Sequence, residues 1–184
     1  FGLPVSQKRF SSAEEIDGFY RQVLEKLQAV PGVAKASISS GIPLLGFGVS
    51  QQFSVVGQPQ DARPSRPSVG VQRVTPEYFE TFGVRMQQGR ALNDRDGMSA
   101  QGVAVVNERF VRLFLSERDG RDPVGQRVVM DDGEWHIVGV FRDVSNVEQF
   151  GEPKAPQIYI PFAQSPSPQG MVAVRTTTSP EHLQ

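Results

Sequence analysis

The sequence predicts an α+β fold. Short alternating apolar segments outnumber helical ones. Helices occur in mixed order, whereas a doubly wound parallel sheet would carry one after nearly every strand. An amphipathic helix stands near the start, and a strong hairpin signal lies in the second half. With 184 residues and 38% apolar content, the chain can build one large domain or two small lobes around a true core.

The elements follow in order. SSAEEIDGFYRQVLEKLQAV spaces Ile16, Phe19, Tyr20, Val23, Leu24 and Leu27 three and four residues apart, which is the stripe of an amphipathic helix. Ser11 or Ser12 caps it, Glu14 or Glu15 completes a capping box, and Pro31-Gly32 ends it. VAKASISS (33–40) reads as a strand and QQFSVVG as a second, with the glycine-rich apolar run GIPLLGFGV between them. GQPQDARPSRPS holds three prolines and no apolar periodicity, so it is a loop. SVGVQRV is a strand. Thr75 then caps a short helix with Pro76 in its first turn, where a missing N–H costs nothing, and Gly83 stops it. GVAVVN is a buried strand, after which Asn107 caps ERFVRLFL. GQRVVM and EWHIVGVFRD flank DDGE, where Asp-Gly suits a tight primed turn. IYIPF and MVAVRTT are further strands separated by SPSPQG, and Ser179 caps the start of another helix. In total, about eight strands and three helices are expected.

Composition excludes several function classes. Nineteen basic residues face 20 acidic ones for a net charge of −1, and splitting the chain near residue 85 leaves neither part basic. Nucleic acid is therefore not an expected partner, since neutralising phosphates needs clustered cations. There is no cysteine, hence no thiol nucleophile, disulfide or cysteine-bound zinc. GIPLLGFGV is the most apolar run and falls far short of the ~18 apolar residues of a spanning helix. No signal peptide opens the chain, and the abrupt starts and stops at FGLPV and SPEHLQ read as cuts in a longer protein.

Catalytic and ligand-binding patterns fail one by one. If Gly97 is the sixth residue of a calcium loop, Leu92 falls first and Val103 twelfth, so NDRDG is a turn. GFGVSQ lacks the third glycine of a dinucleotide fingerprint, no GK[ST] occurs, and SISSG has Ser37 where a nucleophile elbow needs glycine. His136 and Glu134 share one side of an alternating strand; they form either an acid–base pair or an ordinary exposed face. Asp131 and Asp132 fall in the hairpin turn, solvated rather than shifted in pKa. Trp135 packs in or beside a sheet, and Arg90 pairs with Asp94 or Asp96. No catalytic, cofactor-binding or metal residue is assigned, and no cofactor is expected. Ile42, Leu44, Leu45 and Phe47 have two readings: a plug folded over a sheet, or an exposed tip in contact with a partner.

TPEYFETFGVRMQQGRALNDRD, GVAVVNERFVRLFL, DPVGQRV, HIVGVFRDV and IYIPFAQ, in that order, resemble the periplasmic core domain of MacB-like ABC transporter permeases. The helix followed by PGVAKASISSGIPL resembles the form found in large permeases of that superfamily. The resemblance spans residues 12 to 178, with a longer LSERDGRDPVG and a polar RDVSNVEQFGEP as departures. It implies two lobes: a porter-like split βαβ lobe and an inserted mixed α/β sabre-like lobe. Their implied extents are 1–84 for the first part of the porter-like lobe, 85–168 for the insertion, and 169–184 for the return strand. It also implies a non-enzymatic domain outside the cytoplasmic membrane, relaying ATP-driven motion for efflux, lipoprotein handling or mechanotransmission. The implied partners are a cytoplasmic ABC ATPase subunit or domain, a second permease copy, and a periplasmic adaptor or other envelope protein. Two other readings compete: an autonomous periplasmic ligand-binding or sensor domain with a cleft between lobes, and a hydrolase built around His136 and Glu134.

Overall fold

The computed structural model describes residues 1–5, 10, 12–41, 49–58, 66–115, 122–143 and 155–177. Among them run β1 (Gly2–Pro4), α1 (Ala13–Gln28), β2 (Val33–Ser39), β3 (Val49–Val55), β4 (Ser68–Val74), α2 (Tyr78–Thr81) and β5 (Met86–Gly89). After these come β6 (Val103–Asn107), α3 (Glu108–Phe114), β7 (Arg127–Met130), β8 (Gly133–Phe141), β9 (Gln157–Pro161) and β10 (Gln169–Thr176). The mixed α/β content with dominant sheet matches the expected α+β class. Two short strands, β1 and β5, were not expected, because GLP and MQQG carry no apolar alternation.

Local signals explain most element boundaries. Ser12 caps α1 in a full capping box: its Oγ accepts from Glu15 N at 3.2 Å, and Glu15 Oε2 accepts from Ser12 N at 3.3 Å. Asn107 caps α3, its Oδ1 accepting from Phe110 N at 3.0 Å; the same oxygen takes Gln157 N at 2.9 Å and so stitches β9 to the cap. Thr75, however, does not cap α2. The helix begins at Tyr78 with Glu77 as a cap lacking any side-chain bond, because the Thr75 hydroxyl accepts from Ile38 N of β2 at 3.0 Å. The β7–β8 turn also differs from expectation. Met130 pairs with Gly133, leaving Asp131 and Asp132 as turn residues; neither has positive φ, so the turn is not of the primed type. Gly133 takes the unusual backbone instead, at φ 139°.

Six strands close into a barrel. β4 pairs with β3, β3 with β7 and β7 with β8, all antiparallel. β8 pairs with β6 in parallel, β6 with β9 antiparallel, and β9 returns to β4 in parallel, from Gly70↔Gln157 to Val74↔Pro161. Alternate residues point inward and form one cluster. It comprises Phe53, Val55, Val69, Val71, Ala104, Val106, Val128, Met130, Trp135, Ile137, Ile158 and Ile160, with Phe110 of α3 packed on it. α2 and the segment through Leu92 cover the outer face, where Tyr78, Phe79 and Leu92 meet Val103, Val105, Phe141 and Tyr159.

A third cluster lies beside the barrel. Tyr20 and Leu24 of α1 pack on Ala36, Ile38, Val172 and Phe162, over the ladder β1–β10–β2. β10 thus lies between β1 and β2. The boundary at residue 84 groups β3 and β4 with α1, whereas their ladders run to β7 and β9. Both strands belong to the barrel by pairing and by core, because β4 has one edge on β3 and the other on β9. Only the Ser39↔Val74 bridge joins β4 to β2.

Candidate functional site

The seam between barrel and helix-bearing ladder is where residues far apart in sequence converge. Around the Ser39↔Val74 bridge, Thr75 N donates to Ile38 O at 2.9 Å and Ser40 N to Arg73 O at 2.9 Å. Arg73 N in turn donates to Ser40 Oγ at 3.0 Å. Lys35 of β2 pairs with Glu80 of α2 at 2.6 Å, and Arg175 of β10 donates to Glu80 O at 3.1 Å. The hydrogen bond from the ammonium to Glu80, with the attraction of that carboxylate, raises the Lys35 pKa.

Beside the seam lies a cleft of ≈ 190 Å³. One wall is α1, through Asp17, Arg21, Leu24 and Glu25. The other is the Thr75–Glu77 turn with the Asn93–Asp96 turn, and Pro161, Phe162 and Ala163 complete it. Leu24 and Phe162 are buried and make an apolar floor, while Glu25 and Asp94 stand exposed at the rim. Asp17 is held by Arg21 at 2.7 Å. Glu77 Oε2 is buried and accepts no hydrogen bond. No spacing pattern marks this site, since its residues come from four separated segments.

Asp96 anchors the second turn. Its carboxylate takes two hydrogen bonds from the Arg90 guanidinium, both at 2.8 Å, and one from Asn93 N at 2.9 Å. Arg90 thus selects Asp96, one of the two acids considered for it. Burial pushes this carboxyl up, but the Arg90 hydrogen bond, the Asn93 N–H and the guanidinium charge outweigh it and hold the pKa below the ordinary value. A depressed folded-state pKa contributes stability above the unfolded value, and that contribution is lost as pH falls through the folded one. Asp96→Asn should therefore cost about 1–3 kcal/mol at neutral pH. The gap to wild type should narrow below pH ~4, as thermal unfolding across a pH series would read. A gap constant down to pH ~2 would contradict the assignment.

The other sequence candidates are dispersed. His136 Nε2 lies 2.9 Å from Gln101 Nε2 and 3.5 Å from Glu134 Oε1, and that same carboxylate oxygen accepts from Arg127 at 2.9 Å. Glu134 is thus committed to a guanidinium, which weakens it as the orienting partner of a histidine base. Trp135 is buried in the barrel, its Nε1 donating to Asp132 Oδ1 at 3.2 Å. Among the described residues, no three His, Asp or Glu side chains are placed to hold a metal ion. No described helix is long and apolar enough to cross a membrane. Ile42, Leu44, Leu45 and Phe47 lie outside the described residues.

Comparison with known proteins decides the family. The model of the MacB-like periplasmic core domain matches residues 4–184. The chain belongs to that family. Its relatives include the uncharacterized ABC transporter permease YvrN of Bacillus subtilis, 29% identical over 122 residues, covering 60% of this chain and 28% of that protein. The macrolide export ATP-binding/permease protein MacB 2 of Aeromonas hydrophila is 28% identical over 121 residues, covering 65% of this chain and 18% of its own length. The MacB-like domain described here therefore spans less than a third of either relative. Two solved structures share its fold. The periplasmic region of MacB from Actinobacillus actinomycetemcomitans aligns with a TM-score of 0.63 at 14% identity, over 88% of this chain and 67% of that one. The extracellular domain of the transporter YknZ from Gram-positive bacteria aligns with a TM-score of 0.59 at 15% identity, over 86% and 73%. In this MacB-like domain the seam and cleft join the α1 ladder to the barrel.

Proposed function

We propose that this chain is the extracytoplasmic domain of an ABC transporter permease in the cytoplasmic membrane, and that it passes ATP-driven motion to the outside without covalent chemistry. The observation that carries this reading is the family match over residues 4–184. The work would be efflux, lipoprotein handling or mechanotransmission. Its partners would be a cytoplasmic ABC ATPase subunit or domain, a second permease copy, and a periplasmic adaptor or other envelope protein.

On this reading the α1 ladder acts as the porter-like lobe and the barrel as the inserted sabre-like lobe. Supporting it, the chain enters the barrel at β3 and leaves it after β9, and β10 then rejoins β2. A movement of the ladder would reach the barrel through short backbone bonds at the seam, which resist stretching better than surface ion pairs.

A topology experiment tests the location. The segment has no cysteine, so Asp131→Cys in the exposed hairpin turn adds a single thiol to it. In the full-length protein this thiol should react with a membrane-impermeant maleimide in intact cells whose outer barrier, if present, is permeabilised. Labelling only after lysis of the cytoplasmic membrane would overturn the proposal. ATPase, esterase, peptidase and phosphatase assays of the isolated chain should stay at blank.

A further inference from the structure

We propose that a path of buried polar contacts carries movement of the α1 ladder across the barrel wall to the cap of α3. It begins at the seam, where Ile38 N of β2 donates to Thr75 Oγ1 at 3.0 Å. Tyr78 N donates to Thr75 O at 3.0 Å, and the Tyr78 hydroxyl donates to Gln72 Oε1 of β4 at 3.3 Å. Tyr159 of β9 lies opposite Gln72 in the parallel ladder, and its ring centroid is 5.3 Å from that of Tyr78. The Tyr159 hydroxyl donates to Gln157 Oε1 at 3.2 Å. Gln157 N then donates to Asn107 Oδ1 at 2.9 Å, the same oxygen that caps α3 by accepting from Phe110 N.

Burial is what makes this path stiff. Thr75, Tyr78, Gln72, Tyr159, Gln157 and Asn107 are all at most 8% exposed, so none of the links can be exchanged for a bond to bulk water. A residue that moves must take its partner along or leave a polar group unpaired in the core. The Lys35–Glu80 pair, on the same side of the seam, is solvated and can loosen at little cost. Burial also raises the pKa of both phenols, Tyr159 to about 12, so both keep the proton they donate.

Core stability alone does not call for these side chains. Gln72 Nε2 and Gln157 Nε2 are buried and make no hydrogen bond, so each amide gives its oxygen to a tyrosine and leaves its N–H groups unpaired. An apolar side chain of similar length would fill either place without that penalty. The purpose of the path rests on the motion-relaying reading above, but the coupling itself is a property of this chain and can be measured without the transporter.

Amide-proton NMR of the chain tests it. Thr75→Val removes the acceptor at the ladder end. It should shift Gln157 and Phe110, the two donors to Asn107 at the far end, at least about twofold more than Val55 and Val128, barrel residues off the path. Thr75→Ser keeps the hydroxyl and should leave both amides at their wild-type positions. A Tyr159→Phe/Gln157→Met background replaces both partners of one link by apolar groups of similar shape, and there Thr75→Val should no longer reach Phe110. Glu80→Gln, which cuts only the surface ion pair, should move neither far amide. Shifts that stop at β2 and α2 in Thr75→Val, or that reach Phe110 equally in the doubly substituted background, would overturn the relay. Should Thr75→Val fail to fold, Tyr78→Phe cuts the next link and is read against the same two outcomes. Neither outcome touches the extracytoplasmic assignment, which stands or falls on the maleimide labelling.

Discussion

Phe110→Ala should destabilise the protein by about 3–5 kcal/mol, the cost of emptying a large buried aromatic site. Phe110 is fully buried, and its ring centroid lies 5.1 Å from Phe53 of β3 and 5.1 Å from Phe114 of α3. It closes the barrel core from α3, and the helix holding it is tied by its Asn107 cap to β9. Relaxation to fill the hole is limited on two sides: the facing residues sit on laddered strands, and the helix is held at its first turn. Urea unfolding should show a lower midpoint with little change in slope. A loss under about 1 kcal/mol would mean that the helix does not plug the barrel.

Gly139→Ala should cost about 3 kcal/mol or more, at the upper end of overpacking effects. β5 crosses β8 with Gly89 opposite Gly139. A Cβ on Gly139 would sit 2.3 Å from Arg90 O and 2.7 Å from Met86 Cε. The methionine can swing aside, but the carbonyl belongs to the backbone and can clear the methyl only by lifting β5 from β8. Gly89 is closed from the other side as well, with φ 69° and a Cβ site 2.3 Å from Val138 O. Hydrogen exchange should locate the damage at Arg90 N, which donates to Val138 O at 3.0 Å. Gly18→Ala, with open space around it on α1, is the matching control and should not destabilise. If Gly139→Ala and Gly18→Ala behave alike, the close β5–β8 approach is not real.

Both variants probe features absent from the sequence reading, and the contrast with what was legible has a physical basis. α1 was readable because its stripe, its capping box and its Pro-Gly stop all act within a few residues. Asn107 as a cap and the hairpin between GQRVVM and EWHIVGVFRD were readable for the same reason. The family resemblance was legible as an ordered series of motifs, each of them local.

What the tertiary structure decided is who pairs with whom. The parallel β4–β9 ladder that closes the barrel joins residues 70–74 to 157–161, and nothing in either strand names the other. Both strands are apolar and buried, and such strands accept any neighbour with a free edge. Placing β3 and β4 with α1 followed chain order, whereas their pairing follows edges. Thr75 has the look of a helix cap, yet its hydroxyl accepts from Ile38 N on β2. The cleft was invisible for the same reason: its lining comes from four separated segments that meet only when the ladder docks on the barrel. Sequence alone determined elements whose stabilising contacts lie within a turn or two of the chain. Structure decided everything whose contacts close long loops, because a partner on such a loop is selected by geometry and burial after the local elements exist.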